Sequence, residues 1–355
     1  MSSNSIRIVF MGTPEFAVAP LKALIEAGME VSAVVTAPDK PAGRGKKLKS
    51  SAIKAFAHSK LNCPVLQPEK LKDPVFTNQL RSFNAHLFIV VAFRMLPEVV
   101  WSIPKHGTVN LHASLLPQYR GAAPINWCLI NGEGETGVTT FLIDQQIDTG
   151  RILLQDKIRI GRNENAGSLH DRLMTLGAAL VVTTVRQIME GTVEAIAQDA
   201  FDVPQEKLKK APRIYKDDCR IEWNRSREEV HNLVRGMSPS PGAFTMLCYD
   251  DQEPLQLKIF ETLPVEEEGA DEQCNSDQNN REMQNIMPGS SDRSQRQPSN
   301  IEPGTILSDQ KSFMMVACSD GWLEVRSLQP AGRKRMSGAD FIRGFKGEIN
   351  HCKMK

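Results

Sequence analysis

The first 190 residues alternate short apolar runs with longer amphipathic runs. The apolar runs are typical of strands, and runs whose apolar residues recur every three or four positions are typical of helices. The pattern predicts strands at 6–11, 30–36, 64–66, 85–93, 107–111, 137–143 and 152–160, and helices at 15–27, 74–83, 123–131 and 168–189. Strands that alternate with crossover helices predict an α/β, Rossmann-like domain with a parallel sheet over residues 1–190.

The pattern changes after residue 190. Residues 191–215 show no sustained period and contain Pro204 and Pro212, which is typical of a linker. Residues 216–355 then predict one helix at 228–237, a short helix near the C-terminus, and strands at 243–249, 255–262, 303–307, 313–317 and 322–328. Strands without crossover helices predict a small, OB-like β-barrel as the C-terminal domain.

One segment of this second domain has a different composition. Residues 266–300 contain no aromatic residue and are rich in Glu, Asp, Gln, Asn and Ser. Such a segment buries too little apolar surface to order itself, so we expect a disordered acidic insertion at a loop tip.

Composition narrows the class of protein. The chain has 355 residues, of which 41% are apolar and 24% charged, as in ordinary globular proteins. Its apolar runs are shorter than the roughly 20 residues of a membrane span, and the N-terminus lacks a signal pattern, so we expect a cytoplasmic protein. The net charge of +1 argues against a nucleic-acid partner, but residues 264–303 contribute nine acids and three basic residues. That balance of −6 leaves +7 on the remainder.

Two common phosphate-binding motifs are missing from the sequence. The first predicted strand is followed by Gly12, Thr13 and Pro14 rather than by G-x-G-x-x-G, and Gly45-Lys46 precedes a lysine rather than Ser or Thr. These departures argue against a dinucleotide enzyme and against a P-loop enzyme.

A pair of polar residues, Asn110 and His112, lies at the end of a predicted strand. Residues two apart on a strand point to the same face. An amide can donate to a developing oxyanion and an imidazole can move a proton near neutral pH, so the pair suits acyl-type transfer. A histidine with an ordinary structural hydrogen bond is the alternative, because a motif this short is common by chance.

A carboxylate is predicted near this pair. The turn at 144–150 follows another strand and contains both Asp144 and Asp148. Either could orient His112, and either could simply cap the turn. The sequence alone leaves this choice open.

The loop after the second strand is basic. Residues 39–54 hold six basic residues and one acid, with Gly and Pro between them. Such a loop could meet phosphates, and a solvated charged face is the alternative. Residues 206–227 add eight basic and four acidic side chains, and residues 333–335 are Arg-Lys-Arg.

Several segments form one set with these residues. They are Met-Gly-Thr-Pro-Glu-Phe-Ala at 11–17, Pro-Ala-Gly-Arg-Gly-Lys-Lys at 41–47, Asn-x-His, Ser-Leu-Leu-Pro and Arg-Gly-Ala-Ala-Pro within 110–124, Gly-Val-Thr at 137–139 and Asp-Thr-Gly at 148–150. Together they resemble the methionyl-tRNA formyltransferase family. The resemblance runs from about residue 6 to residue 191 and resumes at 220–223 and 328–334.

The resemblance implies transfer of a formyl group from 10-formyltetrahydrofolate to the α-amine of initiator methionyl-tRNA, without a metal. We expect a monomer with no membrane partner. It implies a catalytic role for Asn110 and His112 at the oxyanion, and for Asp148 in setting the protonation of His112. It implies a folate pocket shaped by Ser114, Leu115, Leu116 and Pro117, and tRNA contacts from Arg44, Lys46 and Lys47.

Two features depart from the family pattern. Many members have Ala-Tyr-Gly where this chain has Ala92, Phe93 and Arg94, with one residue fewer, and the acidic insertion is foreign to the family. The alternative functions are a sugar-nucleotide or glycinamide ribonucleotide formyltransferase, a formyltetrahydrofolate hydrolase (deformylase), and a catalytically idle RNA-binding protein.

Overall fold

The computed structural model describes residues 6–42, 47–201, 203–249, 252–265 and 301–355. It divides into two compact units, Met1–Leu129 with Glu133–Ile214, and Ile130–Gly132 with Tyr215–Lys355. The predicted acidic insertion at 266–300 lies outside the described residues.

The first unit is an α/β unit. Its strands are β1 (Arg7–Gly12), β2 (Glu30–Val35), β3 (Lys40–Ala42), β4 (Lys47–Lys49), β5 (Val65–Leu66), β6 (Leu87–Val91), β7 (Thr108–His112), β8 (Arg120–Gly121), β9 (Glu135–Leu142), β10 (Ile152–Arg159) and β11 (Lys210–Ala211). Its helices are α1 (Val18–Glu26), α2 (Ala52–Lys60), α3 (Pro74–Ser82), α4 (Glu98–Trp101), α5 (Pro124–Ile130) and α6 (Ala166–Glu190).

Seven of these strands form one sheet in the order β10-β9-β7-β6-β1-β2-β5. Strands β7, β6, β1, β2 and β5 are parallel, whereas β9 is antiparallel to β7 and β10 to β9. The predicted Rossmann-like parallel sheet is confirmed, with an antiparallel edge added to it.

Helices cover both faces of this sheet. Every residue of β6 is buried, and its side chains alternate between two apolar clusters, with Ile89 in one and Phe88 in the other. On β1, Phe10 and Val9 divide between the same two clusters. A strand covered on both faces reads as a continuous apolar run, which is why the sequence revealed β6 so clearly.

Helix α6 lies on one face of the sheet. Asn165 caps its start, where its side chain accepts a hydrogen bond from Ser168 N at 3.0 Å. Among the described residues, α6 is the one helix long and apolar enough to match a membrane span. It packs against α1, β9 and β10, and nine of its residues are buried, as in the core helix of an α/β unit.

Two helices, α2 and α4, were not predicted from the sequence. Helix α2 takes in Lys54, which the sequence analysis assigned to the basic loop at 39–54. Ser51 begins the helix by accepting a hydrogen bond from Lys54 N at 3.1 Å, a capping signal hidden in a charged run. The remainder of the loop contains the β3–β4 hairpin.

The stretch assigned to a linker, 191–215, belongs to the first unit as far as Ile214. Strand β11 pairs in parallel with β8, and Tyr119 N donates to Lys209 O at 2.7 Å. A Cβ on Gly121 would lie 2.3 Å from Ala211 O, so only glycine permits this approach. The functional division at residues 190 and 216 stays a prediction.

The second unit is an antiparallel barrel. Its elements are α7 (Arg227–Met237), β12 (Ala243–Cys248), β13 (Leu255–Pro264), β14 (Ile306–Ser308), β15 (Met314–Ala317), β16 (Trp322–Pro330), β17 (Met336–Ser337), α8 (Gly338–Arg343) and β18 (Lys353–Met354). The strand order is β14-β15-β16-β13-β12-β18, and Met354 N donates to Gly304 O at 2.9 Å, which brings the two edges together. The predicted small barrel is confirmed.

The loop between β14 and β15 gives a prediction about stability. Partial burial by itself would raise the pKa of Asp309, but hydrogen bonds from Ser312, Lys311 and Phe313 outweigh it and lower the pKa to about 2. A lowered folded-state pKa stabilises the fold above the usual value of 3.8, and the gain is lost as the pH falls through about 2.

We expect Asp309→Asn to reduce the free energy of unfolding of this unit by about 1 kcal/mol at neutral pH, a figure discounted for solvent screening of an exposed carboxylate. The difference should shrink at acid pH. Chemical denaturation at several pH values measures it, with exposed Glu253→Gln as the control. A difference independent of pH would contradict the assignment.

Candidate active site

Asn110 and His112 lie on β7, at the carboxyl ends of the parallel strands. His112 is the last residue of the strand and is 6% exposed, whereas Asn110 is half-buried. Within the part of the chain that the structure describes, the Asn110 side chain makes no hydrogen bond. Its amide donors are therefore available to a ligand.

The two ring nitrogens of His112 face different partners. Nε2 lies 2.9 Å from Tyr119 O, and Nδ1 lies 3.8 Å from Asp148 Oδ2. A carbonyl oxygen only accepts hydrogen bonds, so Nε2 carries a proton in this contact. In a neutral imidazole Nδ1 then presents its lone pair toward the carboxylate, and the two atoms together can accept a proton from a third group.

The structure brings Asp148 to His112 and leaves Asp144 elsewhere. Asp148 Oδ2 also accepts a hydrogen bond from Gly121 N at 2.9 Å. Asp144 instead caps its own turn, where its Oδ1 accepts from Gln146 N at 3.0 Å and from Thr149 Oγ1 at 2.8 Å. The geometry therefore separates the two carboxylates that the sequence could not rank.

Asp148 has a strained backbone. Its φ of 55° lies in the left-handed region, which residues other than glycine seldom adopt. Such a conformation persists only when surrounding contacts hold it, and it is concentrated at functional sites.

The predicted folate segment is a tightly bonded loop after β7. Ser114, Leu116 and Pro117 are buried and Leu115 is half-buried. Thr139 Oγ1 bonds the main chain of the segment at two points, because it donates to Ser114 O at 2.6 Å and accepts from Leu116 N at 3.1 Å. These four residues therefore set the shape of the loop, and only Leu115 exposes appreciable side-chain surface.

The predicted tRNA-binding residues are described only in part. Arg44 and Lys46 lie outside the described residues, and Lys47 begins β4. Lys54, also counted in the basic run, donates to Asp39 Oδ2 at 2.6 Å. Its charge is thus compensated within the unit.

Arg94, where the chain departs from the family pattern, closes onto a neighbouring loop. Its guanidinium donates to Pro68 O at 2.7 Å and to Glu69 O at 3.1 Å, and it lies over the Phe93 ring. Burial lowers the pKa of Arg94. The shortened segment after β6 is therefore held by the loop that follows β5.

Two residues around the Asp148 turn, Gln198 and Arg120, were not predicted from the sequence. Gln198 donates to Asp148 O at 2.9 Å and to Gly150 O at 2.8 Å, and it accepts two hydrogen bonds from Arg120. Gln198 lies in the stretch without a period, so no local pattern marked it. Arg120 belongs to a quoted motif, but its partner lies 78 residues away.

Metal ligands do not gather at this site. Over the described ranges, no three His, Cys, Asp or Glu side chains come together in an arrangement that could hold a metal ion.

Gly150 supports a prediction about the turn. A Cβ on this residue would lie 1.6 Å from Leu142 O, so Gly150→Ala must push the turn away from β9. We expect a loss of about 2 kcal/mol, seen as a melting temperature lower by about 5 °C. Gly134→Ala is the matched control, since a Cβ there meets nothing within 4 Å. Equal melting temperatures for the two variants would contradict the tight packing of the turn.

Comparison with known families and proteins gives consistent matches. The formyl transferase family matches residues 6–185, and the formyl transferase C-terminal domain matches residues 213–346. Curated relatives called methionyl-tRNA formyltransferase include one from Azobacteroides pseudotrichonymphae, 48% identical over 97% of both chains, and one from Parabacteroides distasonis, 48% identical over 98% of both chains.

Solved structures share the fold at low identity. An N-formyltransferase from Helicobacter canadensis, solved with folinic acid and dTDP-3-aminofucose, has a TM-score of 0.58 at 18% identity, covering 90% of this chain and 98% of its own. HypX from Aquifex aeolicus, solved with tetrahydrofolic acid, has a TM-score of 0.57 at 15% identity, covering 97% of this chain and 49% of its own. With both domains matched and relatives nearly half identical along their whole length, the chain belongs to the methionyl-tRNA formyltransferase family.

Proposed function

We propose that this chain transfers the formyl group of 10-formyltetrahydrofolate to the α-amino group of initiator methionyl-tRNA, giving formylmethionyl-tRNA. The observation that carries the proposal is the approach of His112 to Asp148, 3.8 Å apart, beside the Asn110 amide. The relatives named above support the choice of acceptor.

The reaction first needs a donor for negative charge. Attack of the amine on the formyl carbon gives a tetrahedral intermediate whose oxygen becomes an oxyanion. The Asn110 amide, which has no hydrogen-bond partner among the described residues, is available to donate to it. Removing one such donor from an enzyme costs roughly 10² to 10³ in rate. His112 supports the same oxygen when it is protonated.

The reaction also needs a proton acceptor. The attacking nitrogen must lose a proton before the folate nitrogen can leave. Nδ1 of His112 and the Asp148 carboxylate both face the space between them, and together they take that proton and return it to the folate nitrogen as its bond to the formyl carbon breaks. Gly121 N fixes the carboxylate through the 2.9 Å hydrogen bond, so the acceptor is held ready before the substrate binds.

The donor folate is assigned to the loop of Ser114, Leu115, Leu116 and Pro117. Because Thr139 and Gln155 bond the backbone of this loop, its shape is fixed before ligand binding. Leu115 has the side chain best exposed to touch a ligand, and the other three form the wall behind it.

The tRNA is assigned to the basic part of the chain. Arg44, Lys46 and Lys47 lie in the segment that resembles the family's tRNA-binding loop, and the chain without residues 264–303 carries a formal charge of +7. We place the catalytic domain at 1–190 and the tRNA-binding barrel at 216–355, in a cytoplasmic monomer that requires no metal.

The catalytic assignment is tested with labelled 10-formyltetrahydrofolate and either methionyl-tRNA or water as acceptor. We expect Asn110→Ala, His112→Ala and Asp148→Asn each to lose about 10²- to 10⁴-fold in formyl transfer, because each removes a donor or a proton acceptor at the reacting atoms. Release of formate to water at the rate of transfer to tRNA would contradict the proposed acceptor.

Two controls come from the same elements. His106→Ala changes an exposed histidine before the amino end of β7 and should leave the rate unchanged. Asp144→Asn should cost less than tenfold, because within the described residues the hydrogen bonds of the Asp144 side chain lie in its own turn. Equal losses for the Asp144 and Asp148 variants would contradict the role given to Asp148.

The tRNA assignment is tested by the salt dependence of binding. Each lysine or arginine that binds a phosphate releases a counterion. Arg44→Ala should therefore weaken tRNA binding and make the slope of log binding constant against log salt concentration less steep by about 1. Lys60→Ala, at the exposed end of α2, is the control and should leave the slope unchanged. An unchanged slope for the Arg44 variant would remove the loop from the tRNA site.

A further inference from the structure

Gln198 makes four side-chain hydrogen bonds in a buried position. Nε2 donates to Asp148 O at 2.9 Å and to Gly150 O at 2.8 Å. Oε1 accepts from Arg120 Nε at 3.0 Å and from the second guanidinium nitrogen at 2.6 Å. The residue is 6% exposed. Both donors and both lone pairs of the amide are therefore used.

The orientation of this amide is fixed by its partners. Carbonyl oxygens cannot donate, and a guanidinium cannot accept. Nε2 must therefore face the Asp148 turn, and Oε1 must face Arg120. A reversed amide would lose all four hydrogen bonds, so Gln198 links the Asp148 turn to the loop of Arg120 in this one orientation.

These two loops hold the proposed proton acceptor. The Asp148 turn has the left-handed φ of 55°, so external contacts must maintain it. Gln198 holds the main chain of that turn, and Gly121 N, next to Arg120, holds its carboxylate at 2.9 Å. The contacts form a closed ring from Asp148 through Gly121, Arg120 and Gln198 back to Asp148.

We propose that Gln198 is a positioning residue for formyl transfer, which keeps the Asp148 carboxylate at its place beside His112. This inference rests on the function proposed above. Gln198 touches no reacting atom in it and acts through the backbone of the Asp148 turn. Its loss should lower kcat and leave the affinity for both substrates nearly unchanged.

Two substitutions test the two sets of hydrogen bonds that the Gln198 amide makes. Gln198→Met removes all four hydrogen bonds at similar volume. Gln198→Glu keeps the acceptor for Arg120 but turns an oxygen toward the carbonyls of Asp148 and Gly150, so it repels the turn. We expect both variants to lose roughly 10- to 100-fold in kcat, with each KM changed by less than about threefold. A glutamate variant with wild-type kcat would show that the contacts to the turn are irrelevant.

A double-mutant cycle separates positioning from general stability. If Gln198 acts through Asp148, then Gln198→Met should add less than about twofold to the loss already caused by Asp148→Asn. If Gln198 were merely structural, the fold-loss in kcat of the double variant would equal the product of the two single fold-losses. Thr184→Val is the matched control, because it removes the buried 2.8 Å hydrogen bond between Thr184 on α6 and Thr140 on β9. It should lower the melting temperature without lowering kcat.

The outcomes distinguish this inference from the function beneath it. Wild-type kcat in the Gln198→Glu variant, or full multiplication with Asp148→Asn, would overturn the role of Gln198 and leave the proposed function intact. Wild-type transfer by Asp148→Asn alone would overturn the catalytic role of Asp148 and this inference with it, whereas no formyl transfer to methionyl-tRNA by the unaltered protein would overturn the proposed function itself.

Discussion

Covering both faces of one sheet is the constraint from which the rest of the first unit follows. With β6 buried along its whole length, the middle of the sheet offers a ligand no access, and access begins where the strands end. Ligands of such sheets bind beyond the carboxyl ends of the strands for this reason. Asn110 and His112 lie within the last three residues of β7, and the turn that follows the antiparallel β9 brings Asp148 within 3.8 Å of His112.

The loops around His112 stabilise one another. Tyr119 O accepts a hydrogen bond from His112 Nε2, and Gly121 N donates one to Asp148 Oδ2. The main chain of Arg120 and Gly121 pairs with β11. No single loop here has a core of its own. Their geometry depends on hydrogen bonds to segments distant along the chain, so a substitution in one loop should change the conformation of the others.

The elements and site residues that could be predicted from the sequence are those marked by a local pattern of apolar and polar residues. Strand β6 and helix α6 were recognised because burial imposes a continuous run or a period, and Asn110 and His112 because a strand alternates. Helix α2 was missed because its capping serine stands among charged residues. The residue pattern left Asp144 and Asp148 open, because both occupy one turn, and only the family resemblance favoured Asp148. The structure places Asp148 beside His112.

Gln198 shows the limit of such reasoning in a different way. Its partners lie 50 and 78 residues away, and a lone glutamine in a segment without a period carries no local signal. Its importance is visible only when the main-chain atoms it bonds are known. The family resemblance supplied roles for motif residues but none for the residues that support them.

The pairing of β11 with β8 has a consequence for where the first unit ends. The formyl transferase match stops at residue 185, and the apolar pattern stops near residue 190, both before the strand that borders the Tyr119 loop. A fragment cut at either point would keep its sheet but expose the backbone of Arg120 and Gly121 to water, and a cut at residue 185 would also remove the end of α6. The smallest fragment that retains an organised site therefore extends to about residue 214, the border of the compact unit.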